Sequence, residues 1–298
     1  MRGSSRIPAA AIAAVALVAA APPPEPVTPR AVLATAPAGD WAPIAPEDLL
    51  LIDLEGGVRV AIALAPAFAP VHIANIRTLA RAGWFDGLAI DRVDDGYVTQ
   101  WGDIDGTKPL PAGVTKPAPA EYERPDRGLA VSPLPFRDAF ALRVGYVGPF
   151  AVGAEGGQAW LAHCYGSVGS GRDGNPDTGT GAELYAVIGH SPRQLDRNIA
   201  GVGRVVEGMP YLTALPRGTG EMGFYAKPAE RTRIVREVIA ADLPAAERPA
   251  YQYLRPDSAS FAAWLRVKAN RRDDFYLRPA GAVDLCGALP PVRRAPAR

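Results

Sequence analysis

The sequence is poor in the residues that mark metal and thiol chemistry. Its 298 residues include two cysteines, three histidines and three methionines. His72, His163 and His190 are scattered, and none forms a metal-binding spacing with Cys, Asp or Glu, so no metal is expected. An excess of one charge is missing as well. Lys and Arg number 32 against 31 Asp and Glu, a formal net charge of +1. No global field exists to draw nucleic acid or an anionic membrane surface. No G-x-S-x-G elbow occurs. The glycine-rich "GSVGSGRDG", residues 166–174, lacks the Lys-Ser/Thr ending of a phosphate loop and the glycine order of a dinucleotide site, so it reads as a loop between strands. No cofactor and no internal repeat are indicated.

What is present points to a globular, loop-rich β protein. Hydrophobic residues make up 48% and charged residues 21%, a composition able to bury a core. Glycine and proline each number 31, which favours many turns over a helical bundle. Arg2 and Arg6 precede the apolar run Ala9–Ala21 and then a proline-rich stretch. Charged, then apolar, then small residues is the order of a secretory leader, expected over residues 1–21 with a cut after Ala20. The run is shorter than the roughly 20 residues a bilayer span needs, so no stable span is expected once the leader is removed. A periplasmic or secreted location follows. In an oxidising compartment Cys164 and Cys286 could pair across 122 positions or remain as two buried thiols. A bridge over that length would contribute about 4–5 kcal/mol in the chain-entropy model.

Residues 22–47 read as a Pro/Ala-rich extended linker with little core-forming content. "LLLIDLEGGVRVAIAL" places two apolar runs around Gly56-Gly57, the pattern of a hairpin. Val71, Ile73, Ala74, Ile76, Leu79 and Ala80 recur at three- and four-residue spacings, which predicts an amphipathic helix stopped by Gly83. His72 on that helix is expected at or near the surface. Residues 104–160 hold many prolines and read as a long connection with short strands. Strands are expected at Leu184–Ile188, at "VGRVVEGM" and at "TRIVREVIAADL". Trp84 and Trp101 read as core or groove packing. In the tail, residues 243–298, Ser258 or Asp257 could cap a helix carrying Phe261, Trp264 and Leu265 on one stripe. That helix would serve as a strap, or as an appendage that joins the protein to an envelope partner. Many short strands with few helices predict a closed barrel or a sandwich.

One strand poses a question of its own: "AIDRV", Ala89–Val93, sets Arg92 between apolar residues. Its surroundings resemble the cyclophilins, the β-barrel peptidyl-prolyl isomerases. Gly83-Trp84-Phe85-Asp86-Gly87 matches that family's turn, Ile90–Val93 its F-H-R-V strand, and Gly96–Asp103 its G-F-x-x-Q-x-G-D segment. "LDRNIAGVGRVVEGM", Leu195–Met209, resembles the later L-D…F-G-x-V-x-x-G-M block, and residues 166–187 the loop and strand ending in S-Q-F-F-I. The resemblance spans residues 48–242. It implies a mainly β fold, a closed antiparallel barrel capped by helices, with the tail as a helical extension. It also implies an outer groove that receives proline-containing polypeptides. Arg92 would be catalytic, and Gln100 would orient the substrate carbonyl or Arg92 itself. Tyr97, Val98, Glu183, Tyr185, Leu195 and Ile199 would contact substrate, with Tyr97, Tyr185 and Leu195 lining the proline slot.

The chemistry suits an arginine. Amide resonance sets a barrier of about 18–20 kcal/mol to rotation. Hydrogen-bonding the prolyl nitrogen withdraws its lone pair from resonance, and a planar, permanently charged fork of donors is made for that. Such a contact strengthens in the twisted state and so speeds rotation. This sequence departs from the family pattern at several places. Ile90 and Asp91 replace Phe and His, Glu183 replaces Gln, and Leu184 and Tyr185 replace two Phe. Gln194 replaces Trp, Ile199 replaces His, and Val202 replaces Phe. Less aromatic surface, and a carboxylate at Glu183 within reach of Arg92, predict weak isomerase activity or a changed substrate preference. A slow protein that holds proline segments as a chaperone or scaffold is the alternative.

Overall fold

The computed structural model describes residues 27–296. The expected leader, residues 1–21, and the first residues of the expected linker lie outside them.

Eight strands close into an antiparallel barrel, as the motifs lead one to expect. They are β1 (Leu49–Leu54), β2 (Val58–Leu64), β3 (Ala89–Val93), β4 (Val98–Gly102), β5 (Ser167–Ser170), β6 (Glu183–Val187), β7 (Gly201–Glu207) and β8 (Thr232–Ile239). Their order around the barrel is β5-β6-β4-β3-β8-β1-β2-β7, with β7 returning to β5. The β1–β2 hairpin turns at Gly56 and Gly57, both at φ 79°, a region open to glycine at no steric cost. Leu50, Ile52 and Leu54 alternate inward, opposite Ile62, Val60 and Val58. The helix Pro70–Arg81 lays Ile73, Ile76, Leu79 and Ala80 onto the same core, while Ala74 of the predicted stripe is exposed and His72 and Asn75 are buried in addition. Each fully buried aliphatic side chain of this kind contributes about 1.5–3 kcal/mol. Leu49, Leu51 and Ala61 point outward yet are buried beneath Ala240, Leu243 and Tyr251. Strand β1 is covered on both faces, which explains its unbroken apolar run.

The segments beyond the barrel build a second layer, and here the linker reading is corrected. Thr28 caps a helix over Pro29–Thr35, and Trp41–Pro43 pairs with Tyr251–Leu254, which pairs in turn with Val292–Arg294. Proline at the start of that helix fits its first turn, where no N–H bond is needed. The insertion is also more than a connection. Arg124–Pro125, Gln158–Leu161, Phe150–Glu155, Arg143–Val147 and Ser132–Pro133 form a five-stranded antiparallel sheet in that order. Ser258 accepts from the Phe261 N–H and caps the helix Ala259–Ala269. Its Phe261 and Trp264 join Trp41, Val144, Tyr146, Trp160, Leu254 and Leu285 in a second core. Cys164 and Cys286 are joined, which ties the final segment to the loop entering β5. Among the described residues no helix is long and apolar enough to cross a membrane.

Candidate active site

The backbone of β3 answers the question posed by Arg92. Plain alternation would send Ile90 and Arg92 to one face. Pairing with β4 instead shifts register between them: Ile90 lies opposite Trp101, and Arg92 opposite Gln100. The extra residue of this bulge is Asp91. Ile90 and Val93 therefore both enter the barrel core, and Arg92 is turned out onto the wall. Asp91 is buried beside Arg231 at 2.9 Å, and burial pushes its carboxyl up to about 6 despite that charge.

Arg92 stands in a small groove of about 130 Å³. All eight residues named from the sequence line it: Arg92, Tyr97, Val98, Gln100, Glu183, Tyr185, Leu195 and Ile199. Val98 and Tyr185 are buried together, with Tyr97, Leu195 and Ile199 packed against them, which makes one wall of the groove apolar. The guanidinium is held on several sides. Its Nε donates to the Met222 carbonyl at 2.6 Å, Nη1 to Gln100 Oε1 at 3.1 Å, and Nη2 to Asp94 Oδ2 at 2.7 Å. Its plane also lies near the Tyr97 and Phe224 rings, 5.5 and 5.3 Å from their centroids. A guanidinium carries five N–H groups, so one on each terminal nitrogen is left for a ligand.

Glu183 is placed differently from the expectation. It accepts from the Gln100 side-chain amide, and the carboxylate paired with Arg92 is Asp94. The register explains this. Gln100 lies between Arg92 of β3 and Tyr185 of β6, while Glu183 sits opposite Gly102, two residues further along. Gly171 makes room for Glu183: a Cβ at that position would fall 2.4 Å from its Oε1. Burial pushes the Glu183 carboxyl up to about 7. The Gln100 hydrogen bond and the charge of Arg92 oppose the rise, and Asp173 and Asp177 add to it. Burial likewise raises the Tyr97 phenol, opposed by the charge of Arg92.

Sequence reasoning missed Asp94, Met222, Phe224, Gly171 and Arg172. Asp94 was visible as the residue two beyond Arg92. The loop carrying Met222 and Phe224 is 130 residues away and bears no local sign of the site. Gly171 and Arg172, in the loop after β5, complete the groove rim. One histidine also differs from expectation. His72 is fully buried, with Nδ1 2.7 Å from Glu121, because the insertion covers that face of the helix. His163 faces Asp196 and Tyr185, and Cys164 beside it is in the disulfide. Trp101 and Trp84 are buried. Trp101 donates to Glu237 at 2.8 Å and Trp84 to the Pro109 carbonyl at 2.9 Å.

A closed eight-stranded barrel with an arginine–glutamine pair and an apolar slot on its outer wall defines a protein of the cyclophilin class. The model of the cyclophilin-type peptidyl-prolyl cis-trans isomerase family matches residues 50–238, more than half of the chain, and the chain belongs to that family. A protein of Brucella suis biovar 1, named a probable peptidyl-prolyl cis-trans isomerase, is 27% identical over 198 residues, 66% of this chain and 85% of the relative. Peptidyl-prolyl cis-trans isomerase B of Bacillus subtilis is 43% identical over 54 residues, 18% of this chain and 38% of that protein. The crystal structure of cyclophilin AquaCyp293 from Hirschia baltica superposes with a TM-score of 0.68 at 23% identity, covering 90% of this chain and 97% of the other. That likeness concerns the fold, and its coverage reaches beyond the residues the family model matches.

Proposed function

We propose that this cyclophilin-type isomerase acts on proline bonds of exported polypeptides, with Arg92 as the group that stabilises the twisted amide. The observation that carries the reading is the outward turn of Arg92 into a groove with an apolar wall. The proline ring packs against Tyr185, Val98 and Leu195. The two N–H groups of Arg92 not used by the protein approach the prolyl nitrogen as it becomes pyramidal. Asp94, Gln100 and the Met222 carbonyl hold the fork in place, so little reorganisation is needed at the moment of rotation. In a protease-coupled assay on a proline tetrapeptide, Arg92→Ala is expected to lower kcat/KM roughly 10²-fold, the loss typical of a preorganised donor. A rate unchanged by that substitution overturns the role.

One observation favours the slower, peptide-holding alternative: Arg92 already has three hydrogen-bond partners. That reading predicts peptide binding with negligible isomerisation by the unaltered protein. The exported location is supported by the leader-like start of the sequence and by the Cys164–Cys286 bridge. Mass spectrometry of the protein recovered from a fractionated bacterial host tests it. A mature chain beginning at Ala21 outside the cytoplasm is expected, and a full-length cytoplasmic chain overturns it.

A further inference from the structure

Behind the groove runs a buried polar chain that the isomerase reading leaves unused. Tyr185 contributes its ring to the apolar wall, but its hydroxyl ends inside the protein, 2.9 Å from Nε2 of His163. The two rings lie nearly parallel, at 18°. His163 Nδ1 is 3.0 Å from Asp196 Oδ1, and the same oxygen accepts the His163 backbone N–H at 2.9 Å. Asp196 Oδ2 accepts from Arg193 Nε at 2.6 Å and from Trp160 Nε1 at 3.2 Å. Arg193 then forks onto Asp138 of the insertion at 2.9 and 3.1 Å. Every member from Tyr185 to Arg193 is buried.

The direction of each hydrogen bond follows from chemistry. Burial pushes the Asp196 carboxyl up, but the His163 hydrogen bond and the Arg193 charge outweigh it and hold the group below the usual carboxylate range. An ionised carboxylate only accepts, so Nδ1 of His163 carries the hydrogen. In the neutral ring Nε2 is then a lone pair, and the Tyr185 hydroxyl must donate to it. The strand opposite makes space for this arrangement. Gly169 pairs with Tyr185, and a Cβ there would fall 2.3 Å from the hydroxyl oxygen. The groove thus meets an aromatic ring whose polar tip is already used. A free phenol in the proline slot would hold water or a substrate amide where an apolar ring has to pack.

We propose that His163 is a positioning residue for the isomerase: it takes the Tyr185 hydroxyl hydrogen and so fixes the ring against which the substrate proline packs, and Asp196, Arg193 and Asp138 tie that ring to the insertion sheet. The inference rests on the groove assigned under the proposed function. It is tested with the full mature chain and a proline tetrapeptide. His163→Leu is expected to raise KM about five- to tenfold, the scale of one lost hydrogen bond, with kcat nearly unchanged. His163→Gln, whose amide oxygen can accept from the phenol, restores most of the loss. In a Tyr185→Phe background, His163→Leu changes KM by less than about twofold, since the contact is already gone. An equal loss in both backgrounds, or a loss confined to kcat, overturns the proposal. A second readout does not depend on turnover. Proton NMR of the unaltered protein is expected to show a slowly exchanging Tyr185 hydroxyl resonance close to the His163 ring protons, kept in Arg92→Ala and lost in Tyr185→Phe. Its absence from the unaltered protein overturns the proposal. An unaltered protein without isomerase activity sinks the functional reading instead, and the peptide Kd from the same spectra then replaces KM in the comparison.

Discussion

The barrel and the layer beside it are held together by different means. The barrel core is apolar almost throughout: β1–β2 and β3–β4 meet across short turns, while β8 reaches back to β1 and β7 to β2 across long stretches of chain, and a continuous apolar interior closes them. The second core gathers residues from around position 32, from the insertion and from the end of the chain. Those segments are far apart in sequence, and closing such long loops costs chain entropy before any contact is made. The second layer carries the ties that offset this: the Cys164–Cys286 bond, the Arg193 fork on Asp138 and Asp196, and the caps on both of its helices. Both layers join remote segments; in the barrel a continuous apolar core holds them, and in the second layer a smaller core is supplemented by covalent and ionic fastening.

Cutting the covalent tie breaks the comparison most sharply. Replacing both cysteines, Cys164→Ser with Cys286→Ser, is expected to destabilise the chain by about 4–5 kcal/mol, the chain-entropy value for a 122-residue separation. The loss is expected to fall on the second layer, so in denaturant the unfolding of the helix Ala259–Ala269, followed by hydrogen exchange, should separate from the unfolding of the barrel strands. A single transition with an unchanged midpoint shows that the layer needs no covalent tie.

The two cores should also respond oppositely to pH. Glu237 lies inside the barrel, its Oε1 bonded to Trp101 and its Oε2 without a partner. Burial pushes its carboxyl up to about 8, from 4.5 for an exposed group. Between those values the unfolded chain releases a proton that the folded barrel keeps. Stability from this group is therefore full below 4.5 and declines as pH rises towards 8, by at most ~1.4 kcal/mol per pH unit. Asp196 in the second layer has the opposite sign. Its folded value is depressed, so its contribution is present above 3.8 and is lost as pH falls through the folded value. Asp91 and Glu183 add to the slope from Glu237, so the test is a difference. Glu237→Gln should flatten stability between pH 5 and 8 relative to the unaltered protein, measured by urea midpoints. Parallel curves for the two proteins overturn the assignment.

The same contrast decides what could be read from the sequence. The barrel was legible because its signals are local: the Gly56-Gly57 hairpin, the helix from Pro70, and the paired motifs around Arg92 and Gln100. All eight groove residues drawn from those motifs line one groove. The second layer was opaque. Val32, Leu33 and Trp41 are sparse apolar residues in a Pro/Ala-rich stretch; Trp41 acquires its strand partner only when residues 251–254 arrive, and the helix of Val32 and Leu33 its neighbour only with the helix Ala259–Ala269. No local period announces such a sheet. The buried state of His72 and the insertion of Gln100 between Glu183 and Arg92 were hidden for a related reason. Each depends on strand register or on the cover supplied by a remote segment, which spacing along one strand does not encode.

The smallest expected effect lies on the barrel wall, at the groove rim. Glu183 accepts from the Gln100 amide, and burial sets its titration near 7. Above that pH the ionised carboxylate binds the amide more strongly and keeps it from a substrate carbonyl. Below it, the neutral acid accepts more weakly and Gln100 is freer to turn. Isomerisation by the unaltered protein should therefore be faster below about pH 7 than above it, by the three- to tenfold that one modest hydrogen bond supplies, roughly 0.5–1.5 kcal/mol. Glu183→Gln removes the ionisation and should give a pH-independent rate at or above the faster level. A variant that keeps the inflection near 7 assigns it to another group, and a variant slower than the unaltered protein at every pH would mean that the carboxylate helps to hold Gln100 in its working position.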